Sequence, residues 1–283
     1  MKENNWDIII QPKTKLFSLD LGEVWRYRDL LTMYVKRDIV TMYKQTILGP
    51  LWYVIQPLFT TIMFMFVFGG IAGIPTDGLP QPLFYMAGIL CWNYFSECLT
   101  KCSETFNANQ HIFGKVYFPR LVVPLSGVTS NLLKMLIQLG MFIIIYIYYV
   151  ITLPEGTLQV NSSILLFPVL IFLIAMHGMS WGLIISSMTT KYRDMKFLIQ
   201  FGIQLFMYAT PVIYPLSAAP EKYRDIIALN PLTPIFEAFK YSCLGCGTLD
   251  WGGLLYCTIF MCVTLFLSVL VFSRTERNFM DTV

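Results

Sequence analysis

The sequence predicts an all-α integral membrane protein with six transmembrane helices. Of its 283 residues, 56% are hydrophobic and 13% are charged, and the mean hydropathy is +0.61, whereas soluble chains are about half apolar and a quarter charged. Six apolar runs are long enough to cross the roughly 30 Å of hydrocarbon in a bilayer. They cover residues 51–73, 83–103, 121–150, 163–188, 197–215 and 252–273.

The positions of Lys and Arg predict how these spans are oriented. Sixteen of these residues lie in the two terminal segments and in the loops on the same side, and three lie in the opposite loops. By the positive-inside rule, this asymmetry places both termini in the cytosol. Because the net charge of +3 is small and the basic residues are dispersed, no nucleic-acid partner is expected.

Residues 1–50 and 274–283 are predicted to form cytosolic tails on either side of the membrane domain, residues 51–273. Within the first tail, residues 23–38 repeat apolar side chains at helical spacing. Apolar residues on this face are Tyr27, Leu30, Leu31, Tyr34 and Val35, and basic residues elsewhere include Arg26, Arg28, Lys36 and Arg37. We interpret the segment as an interfacial helix in contact with membrane lipids, with its apolar face in the headgroup boundary and its basic groups toward phosphates or a protein partner.

The loop before the last span is too long and too apolar for a plain connection. The string "NPLTPIFEAFKYSCLGCG" (230–247) has apolar residues at near-helical spacing, and prolines divide the surrounding segment into short pieces. Residues 216–250 are therefore predicted to form one or two short external helices that lie in or dip into the outer leaflet. The alternative is a structured external cap.

The sequence lacks two motifs that are typical of independent enzymes. It has no GxxxxGK[ST] and no HExxH motif. Cys243 and Cys246 form a CxxC pair without two further zinc ligands nearby, so no metal site is predicted and the pair is interpreted as structural, with a disulfide as the alternative. An enzyme in its own right is therefore not expected.

Polar and aromatic residues inside the spans indicate a lined passage. The string "CWNYFSE" (91–97) falls near the middle of the membrane, where aromatic faces can stack on sugar rings and polar tips can bond hydroxyls. The predicted lining is Trp52, Tyr53, Trp92, Asn93, Tyr94 and Glu97. An aromatic belt or bundle core is the alternative for these aromatics, and Glu97 is predicted to pair with Lys101 one helical turn away.

Two strings carry a resemblance to a known family. "RDIVTMYKQTILGPLWYVIQP" (37–57) and the loop "NANQHIFGKVYFPRLVVPLSG" (107–127), on either side of the "WNYFSE" span, resemble the transmembrane subunit of polysaccharide-exporting ABC-2 transporters. The resemblance covers nearly the whole chain. It implies a bacterial inner-membrane homodimer that works with two soluble ATPase subunits, which bind the ATP and Mg²⁺, so this chain itself binds no cofactor.

The resemblance also implies a substrate and the residues that receive it. The substrate would be a surface polysaccharide linked to an undecaprenyl-type lipid, most readily an O-antigen. Its pyrophosphate would be received where a gate helix at 35–46 meets the Leu48-Gly49 loop, by Arg37, Lys44, Gln45, Leu48 and Gly49. From the residues alone, Gly49 permits a turn and the free N–H groups of the helix start favour phosphate, and the alternative is that Gly49-Pro50 only separates two helices.

The resemblance also implies roles for two further regions. Residues 108–118 match the coupling helix that sits in a groove of the ATPase, with contacts from Asn109, Gln110, His111, Ile112, Phe113 and Lys115. Residues 216–250 match external gate helices that close the channel, including Pro231, Phe236 and Phe239.

Other functions remain open at this point. An ABC-2 exporter of teichoic acid or of a small lipid or drug would have the same fold. A channel or secondary carrier without an ATPase belongs to another class, and it would be stable and active alone.

Overall fold

The computed structural model describes residues 21–44, 46–154, 158, 161–192 and 194–282. Within these ranges the chain is helical and contains no β-strand. The α-helices are α1 (Leu21–Arg26), α2 (Arg28–Tyr43), α3 (Trp52–Phe64), α4 (Gln81–Ser103), α5 (Thr105–Ala108), α6 (Gln110–Phe113), α7 (Val122–Thr152), α8 (Phe167–Thr189), α9 (Met195–Tyr208), α10 (Glu221–Ala228), α11 (Thr233–Leu244) and α12 (Trp251–Thr282). The prediction of an all-α chain is confirmed.

Four helical segments in the described residues are long and apolar enough to cross a membrane. They are Gly49–Ile71, Val122–Thr152, Ser162–Thr189 and Trp251–Arg277. The first joins a short 3₁₀ turn, α3 and a π-helical segment at Met65–Ile71, and the third includes a 3₁₀ turn before α8. The chain is therefore an integral membrane protein with at least these four candidate spans.

The other two predicted spans correspond to α4 and α9, which differ from a simple apolar crossing. Helix α4 has 23 residues but carries Glu97 and Lys101 in its second half. Helix α9 has 14 residues, which at 1.5 Å per residue is about 21 Å and shorter than the hydrocarbon layer. The count of six spans stays a prediction.

Helix α4 is at the centre of the bundle and is buried along most of its length. It packs against α7 on one side and α8 on another, and α8 in turn packs against α12. Two glycines of α8 make the contact with α4 close, because a Cβ at Gly178 would lie 2.9 Å from the carbonyl oxygen of Phe95 and one at Gly182 would lie 2.7 Å from that of Leu99. Small residues spaced four apart are a common device for close helix packing in membranes.

The N-terminal segment packs on the bundle in a way that the sequence pattern did not predict. The helix expected over 23–38 is divided at Tyr27 into α1 and α2, and α2 continues through the proposed gate region to residue 43. Its apolar face lies against α7, with Tyr34 only 8% exposed and its ring 6.2 Å from that of Phe118. Tyr34 is therefore a packing residue, whereas Tyr27, Leu30, Leu31 and Val35 are half-buried, and contact of this face with lipid stays a prediction.

The segment between α9 and α12 forms two short helices with opposite exposure. Helix α10 is exposed on most of its residues, whereas α11 is buried nearly throughout. Helix α11 has Pro234 in its first turn and is capped by Gly245, whose φ of 77° lies in the left-handed region that favours glycine at a helix C-terminus. Pro231, Phe236 and Phe239 are all buried at this place.

Candidate functional site

A cluster of charged side chains lies where α2 meets α4. Asp38 of α2 is 8% exposed. Its Oδ1 accepts hydrogen bonds from Nε and Nη2 of Arg37 at 3.1 and 2.8 Å, and its Oδ2 forms an ion pair with Nζ of Lys101 at 3.0 Å. The guanidinium of Arg37 also lies 4.5 Å from the centre of the Tyr34 ring. One carboxylate thus links two cations and ties α2 to the end of α4.

A second ion pair lies beside this cluster. Nζ of Lys134 in α7 is 3.1 Å from Oε2 of Glu97 in α4 and 5.3 Å from the centre of the Tyr53 ring in α3. The predicted pairing of Glu97 with Lys101 is therefore wrong. Both residues find partners on other helices, because α2 and α7 bring Asp38 and Lys134 against the two charges.

These ion pairs border a cavity of about 210 Å³ between α2, α3, α4 and α7, which we call the charged cavity. Its lining includes Asp38, Thr41, Tyr53, Lys101, Asn131 and Lys134. Asn131 is 3% exposed. Its Nδ2 is enclosed in the protein, and its side chain forms a hydrogen bond with the Cys98 side chain. The cavity therefore presents the ammonium groups of Lys101 and Lys134, each of which is already paired with a carboxylate.

The predicted entry residues have separate surroundings. Arg37 belongs to the charged cluster, while Lys44 is exposed at the C-terminal end of α2 and Leu48 is 37% exposed. Gly49 has φ of +49°, which a side chain would strain, so the turn before Pro50 requires glycine. Gln45 lies outside the described residues. The role of this loop in binding a pyrophosphate stays a prediction.

The predicted coupling segment is a single helical turn, α6, followed by a bend. His111 and Lys115 are exposed and Gln110 and Ile112 are half-buried, but Asn109 and Phe113 are buried. Phe113, at 5% exposure, packs its ring 6.0 Å from Phe106 and 5.7 Å from Phe118. A direct contact between Phe113 and another protein is therefore wrong for this conformation, because the ring already belongs to the core.

The sequence reasoning missed two exposed residues next to this turn. Val116 and Tyr117 are each 59% exposed, and the Tyr117 hydroxyl lies 3.5 Å from Oε1 of Glu23 in α1. The signal for a contact surface was present, since both are apolar or aromatic residues inside a polar loop.

The predicted passage residues do not share one surface. Trp92 and Tyr94 are buried at 6% and 3% exposure, and the Trp92 ring lies 5.5 Å from Phe95 and 6.1 Å from Phe206. The structure places these two in the core and not on an open face. Trp52 is 53% exposed. Asn93, Tyr53 and Glu97 are half-buried, and the last two contact Lys134.

A buried ion pair joins α11 to the rest of the bundle. Lys240 donates a hydrogen bond from Nζ to the carbonyl oxygen of Pro211 at 2.7 Å, and Nζ lies 3.8 Å from Oε1 of Glu237. Burial lowers the pKa of Lys240 to about 8, although Glu237 opposes this shift. Burial likewise raises the pKa of Glu237, and the nearby Lys240 opposes that change.

The described residues contain no group of three or more His, Cys, Asp or Glu side chains placed to hold a metal ion. Within them, Cys243 and Cys246 are both free thiols, so the disulfide alternative does not apply in this conformation. The chemistry available at the charged cavity and the loops is binding by charge and hydrogen bonds.

Comparison with known proteins places these features in a family. A family model described as "ABC-2 type transporter" matches residues 29–244. The chain is 28% identical over 255 residues to the O-antigen export system permease protein RfbA of Klebsiella pneumoniae. The aligned region covers 89% of this chain and 94% of that protein. It is 26% identical over 221 residues to the protein of the same name from Myxococcus xanthus (77% and 81% of the two chains). It is 22% identical over 242 residues to the polysialic acid transport protein KpsM of Escherichia coli (85% and 91%).

The resemblance inferred from the sequence is thereby confirmed. The family model spans well over half of the chain, and the curated relatives are matched over most of their own length. The chain belongs to the ABC-2 type transporter family.

Proposed function

We propose that this chain is the channel-forming membrane subunit of an ATP-driven exporter. It moves a lipid-linked surface polysaccharide, an O-antigen, from the cytosolic to the outer face of the bacterial inner membrane. The observation that carries this proposal is the match to O-antigen export permeases over as much as 94% of their length. KpsM, a polysialic acid transport protein, is more distant at 22% identity, which favours an O-antigen over a capsule.

The proposed assembly contains two copies of this chain and two ATPase subunits. The sequence lacks a phosphate-binding GxxxxGK[ST] loop, so ATP and Mg²⁺ belong to the ATPase. Exposed apolar side chains along α3 and α9 support contact with a second copy or with lipid. They include Trp52 and Phe59 on α3, Phe66 in the π-helical segment that follows it, and Phe197, Phe201 and Leu205 on α9.

The proposed contact with the ATPase is the loop around α6. His111, Lys115, Val116 and Tyr117 are exposed there, while Phe113 and Arg120 fix the loop from inside. The guanidinium of Arg120 lies 5.2 Å from the centre of the Phe113 ring and donates a hydrogen bond from Nη1 to the carbonyl oxygen of Glu276 at 2.7 Å. Because these contacts hold the loop rigidly against α12, movement of a bound ATPase would be transmitted through the loop to α12.

The proposed topology has six spans with both termini in the cytosol. Helix α4, surrounded by α3, α7 and α8, crosses inside the protein and tolerates its charged residues for that reason. Helix α9 is short, but it continues into the buried turn at 211–213. The combined length of helix and turn is closer to the thickness of the membrane.

The proposal is tested by affinity purification of this chain in mild detergent, followed by mass spectrometry of the bound proteins. We expect a stoichiometric soluble subunit that carries a phosphate-binding loop. In parallel, cells depleted of this chain should lose lipid-linked polysaccharide from their surface and accumulate it inside. A clean homo-oligomer with unchanged surface polysaccharide would overturn the proposal and favour a channel or carrier without an ATPase.

A further inference from the structure

We propose that a contact between Asp77 and Ser217, which we call the outer latch, holds the outer end of the passage closed. The inference rests on the proposed function, because only a transport passage needs an outer end that opens and closes. Asp77 lies in the loop between the first span and α4, and Ser217 lies in the 3₁₀ turn Leu216–Ala218 before α10. In the proposed topology both segments face the outside.

The outer latch is a hydrogen bond between residues 140 positions apart in the chain. The Ser217 hydroxyl donates to the Asp77 carboxylate, with Oγ 2.8 Å from Oδ1 and 3.0 Å from Oδ2. The Cys246 thiol donates to the backbone carbonyl oxygen of Asp77 at 3.2 Å. Asp77 therefore joins the loop after the first span to the segment before α10 and to the chain just after α11.

A tight turn presents the Asp77 carboxylate. Asp77 and Gly78 have φ of 51° and 79°, and the N–H of Leu79 donates to the carbonyl oxygen of Thr76 at 3.0 Å. Two successive residues with positive φ are typical of a type I′ turn, in which Asp, Asn and Gly are favoured. Replacement of Asp77 by Asn or Gly is therefore expected to keep the turn, so the contribution of the carboxylate can be measured separately.

The segment that carries Ser217 is fixed by charged side chains. The Glu237 carboxylate of the buried helix α11 accepts a hydrogen bond from the backbone N–H of Leu216. From the other side, Nη2 of Arg224 in α10 donates to the carbonyl oxygen of Ser217 at 3.1 Å. Because these contacts fix the segment, the loop with Asp77 is the part that moves when the latch opens.

Beside the outer latch, the two segments are not packed together. An apolar cavity of about 500 Å³ lies between residues 72–75 of the loop and residues 218–220, and Tyr214 and Tyr223 also line it. Apolar side chains that filled this space would hold the segments together by close packing. Since the space is open, the hydrogen bonds of Asp77 are important for closure at this place.

The outer latch is also weak enough to open. Asp77 and Ser217 are both exposed, and an exposed hydrogen bond shifts an equilibrium between two states by only about threefold to tenfold. Gly73, with φ of 64°, lies between the first span and the latch, and a Cβ there would meet no atom of the described chain within 4 Å. The loop therefore has room to move and a glycine about which it can turn.

The experiment measures how fast the Cys246 thiol reacts with a membrane-impermeant maleimide. The full-length chain is produced in cells, and right-side-out and inside-out membrane vesicles are treated separately. Mass spectrometry of the peptide that contains Cys246 gives the modified fraction over time. Cys246 is half-buried, and it reports on the latch because opening moves the Asp77 carbonyl oxygen away from its thiol.

We expect labelling in right-side-out vesicles. Asp77→Gly and Ser217→Ala each remove the latch and should raise the labelling rate about threefold to tenfold. Because both changes remove the same hydrogen bond, the double variant should be no faster than the faster single variant.

Two variants should keep the labelling rate within about twofold of that of the original protein. Asp77→Asn keeps an acceptor for Ser217 and tolerates the positive φ. Asp225→Ala is the matched control, because it removes an exposed carboxylate of α10 that is not part of the latch. The unfolding temperature in detergent should be the same for all variants, since the latch is at the surface.

A cross-link tests whether export depends on opening. Asp77→Cys and Ser217→Cys are combined with Cys246→Ser, so that neither introduced thiol can pair with Cys246. Oxidation with copper phenanthroline should join the two segments and stop the appearance of new polysaccharide at the surface, and a reductant should restore it. Normal export by the cross-linked chain would show that the contact does not close the passage.

Three labelling results would overturn the outer latch. The first is an equal rate in Asp77→Gly, Ser217→Ala and Asp225→Ala, including no reaction in any of them. The second is labelling in inside-out vesicles alone, and the third is a fall in unfolding temperature that parallels the rise in rate. Labelling needs neither ATPase nor transport, so its failure is distinct from failure of the proposed function, which is judged by co-purification and by surface polysaccharide.

Discussion

The ammonium nitrogen of Lys240 lies 2.7 Å from the carbonyl oxygen of Pro211, in a place where the lysine is only 2% exposed. The same nitrogen is 4.1 Å from the centre of the Phe84 ring and 3.8 Å from Oε1 of Glu237. A single side chain of α11 thus contacts α4 and the turn after α9. This arrangement fixes the short buried helix to the rest of the bundle.

We expect Lys240→Met to destabilise the protein by about 3 kcal/mol, because it leaves Glu237 buried without its cation and Pro211 without its donor. The measurement is thermal unfolding in detergent. Lys222→Met is the matched control, since Lys222 lies on the exposed helix α10. The double variant Lys240→Met/Glu237→Gln should recover part of the loss, and equal unfolding temperatures for the two single variants would contradict the role of Lys240.

The same lysine predicts a pH dependence of stability. Burial lowers its pKa in the folded chain to about 8 from the ordinary value of 10.5. Between these two values the unfolded chain keeps a proton that the folded chain has lost, so the contribution of Lys240 to stability rises with pH in this window. The difference in unfolding temperature between the original protein and Lys240→Met should therefore increase from pH 8 to 10.5. If this difference in unfolding temperature stays constant or decreases as the pH rises, Lys240 stays charged in the folded chain.

The close packing of α8 on α4 gives a prediction about glycine. Ala at position 182 would place its Cβ 2.7 Å from the carbonyl oxygen of Leu99, so we expect Gly182→Ala to cost about 1–3 kcal/mol of stability. Gly140→Ala in α7 is the control, since a Cβ there meets no atom within 4 Å. It should leave stability unchanged or raise it by up to about 1 kcal/mol. Thermal unfolding of both variants decides, and equal effects would rule out close packing as the cause.

Hydropathy predicted the helices well because each apolar run must bury its backbone polar groups within a helix in the membrane. It could not predict which face of α2 meets protein. An apolar stripe at Tyr34 suits a lipid surface as well as it suits α7, and only the tertiary fold decides between them.

The contacts of the candidate site were harder to predict from the sequence. Glu97 and Lys101 have the spacing of a helical ion pair, yet each pairs with another helix, and no local pattern contains that information. Phe113 was predicted to be a contact residue because its loop matches the coupling helix of the family, but its ring packs against Phe106 and Phe118. Lys134 lies inside the predicted span 121–150, and an ionisable residue at such a position is a useful signal of function.

The loop around α6 contains a buried structural residue, Phe113, and an exposed residue, Val116, that we propose contacts the ATPase. We expect Phe113→Ala to destabilise the chain by about 3–5 kcal/mol, because a buried ring is replaced by a cavity. Val116→Asp, at a position 59% exposed, should leave the unfolding temperature unchanged and reduce ATPase co-purification at least severalfold. Both are measured on the same detergent preparations. Intact co-purification with Val116→Asp would remove this residue from the proposed contact.

Two tryptophans distinguish a core residue from one on an open face. Trp92 packs against Phe95 and Phe206 at 6% exposure, so Trp92→Ala should lower stability by about 3–5 kcal/mol and reduce export only through loss of folded protein. Trp52 is 53% exposed at the start of α3, so Trp52→Ala should keep the unfolding temperature. If the exposed face of α3 meets the second copy or the polymer, export per folded molecule falls in Trp52→Ala and stays normal in Trp92→Ala. Surface polysaccharide divided by the amount of folded protein in the membrane measures this ratio, and the reverse order would place Trp92 in the passage after all.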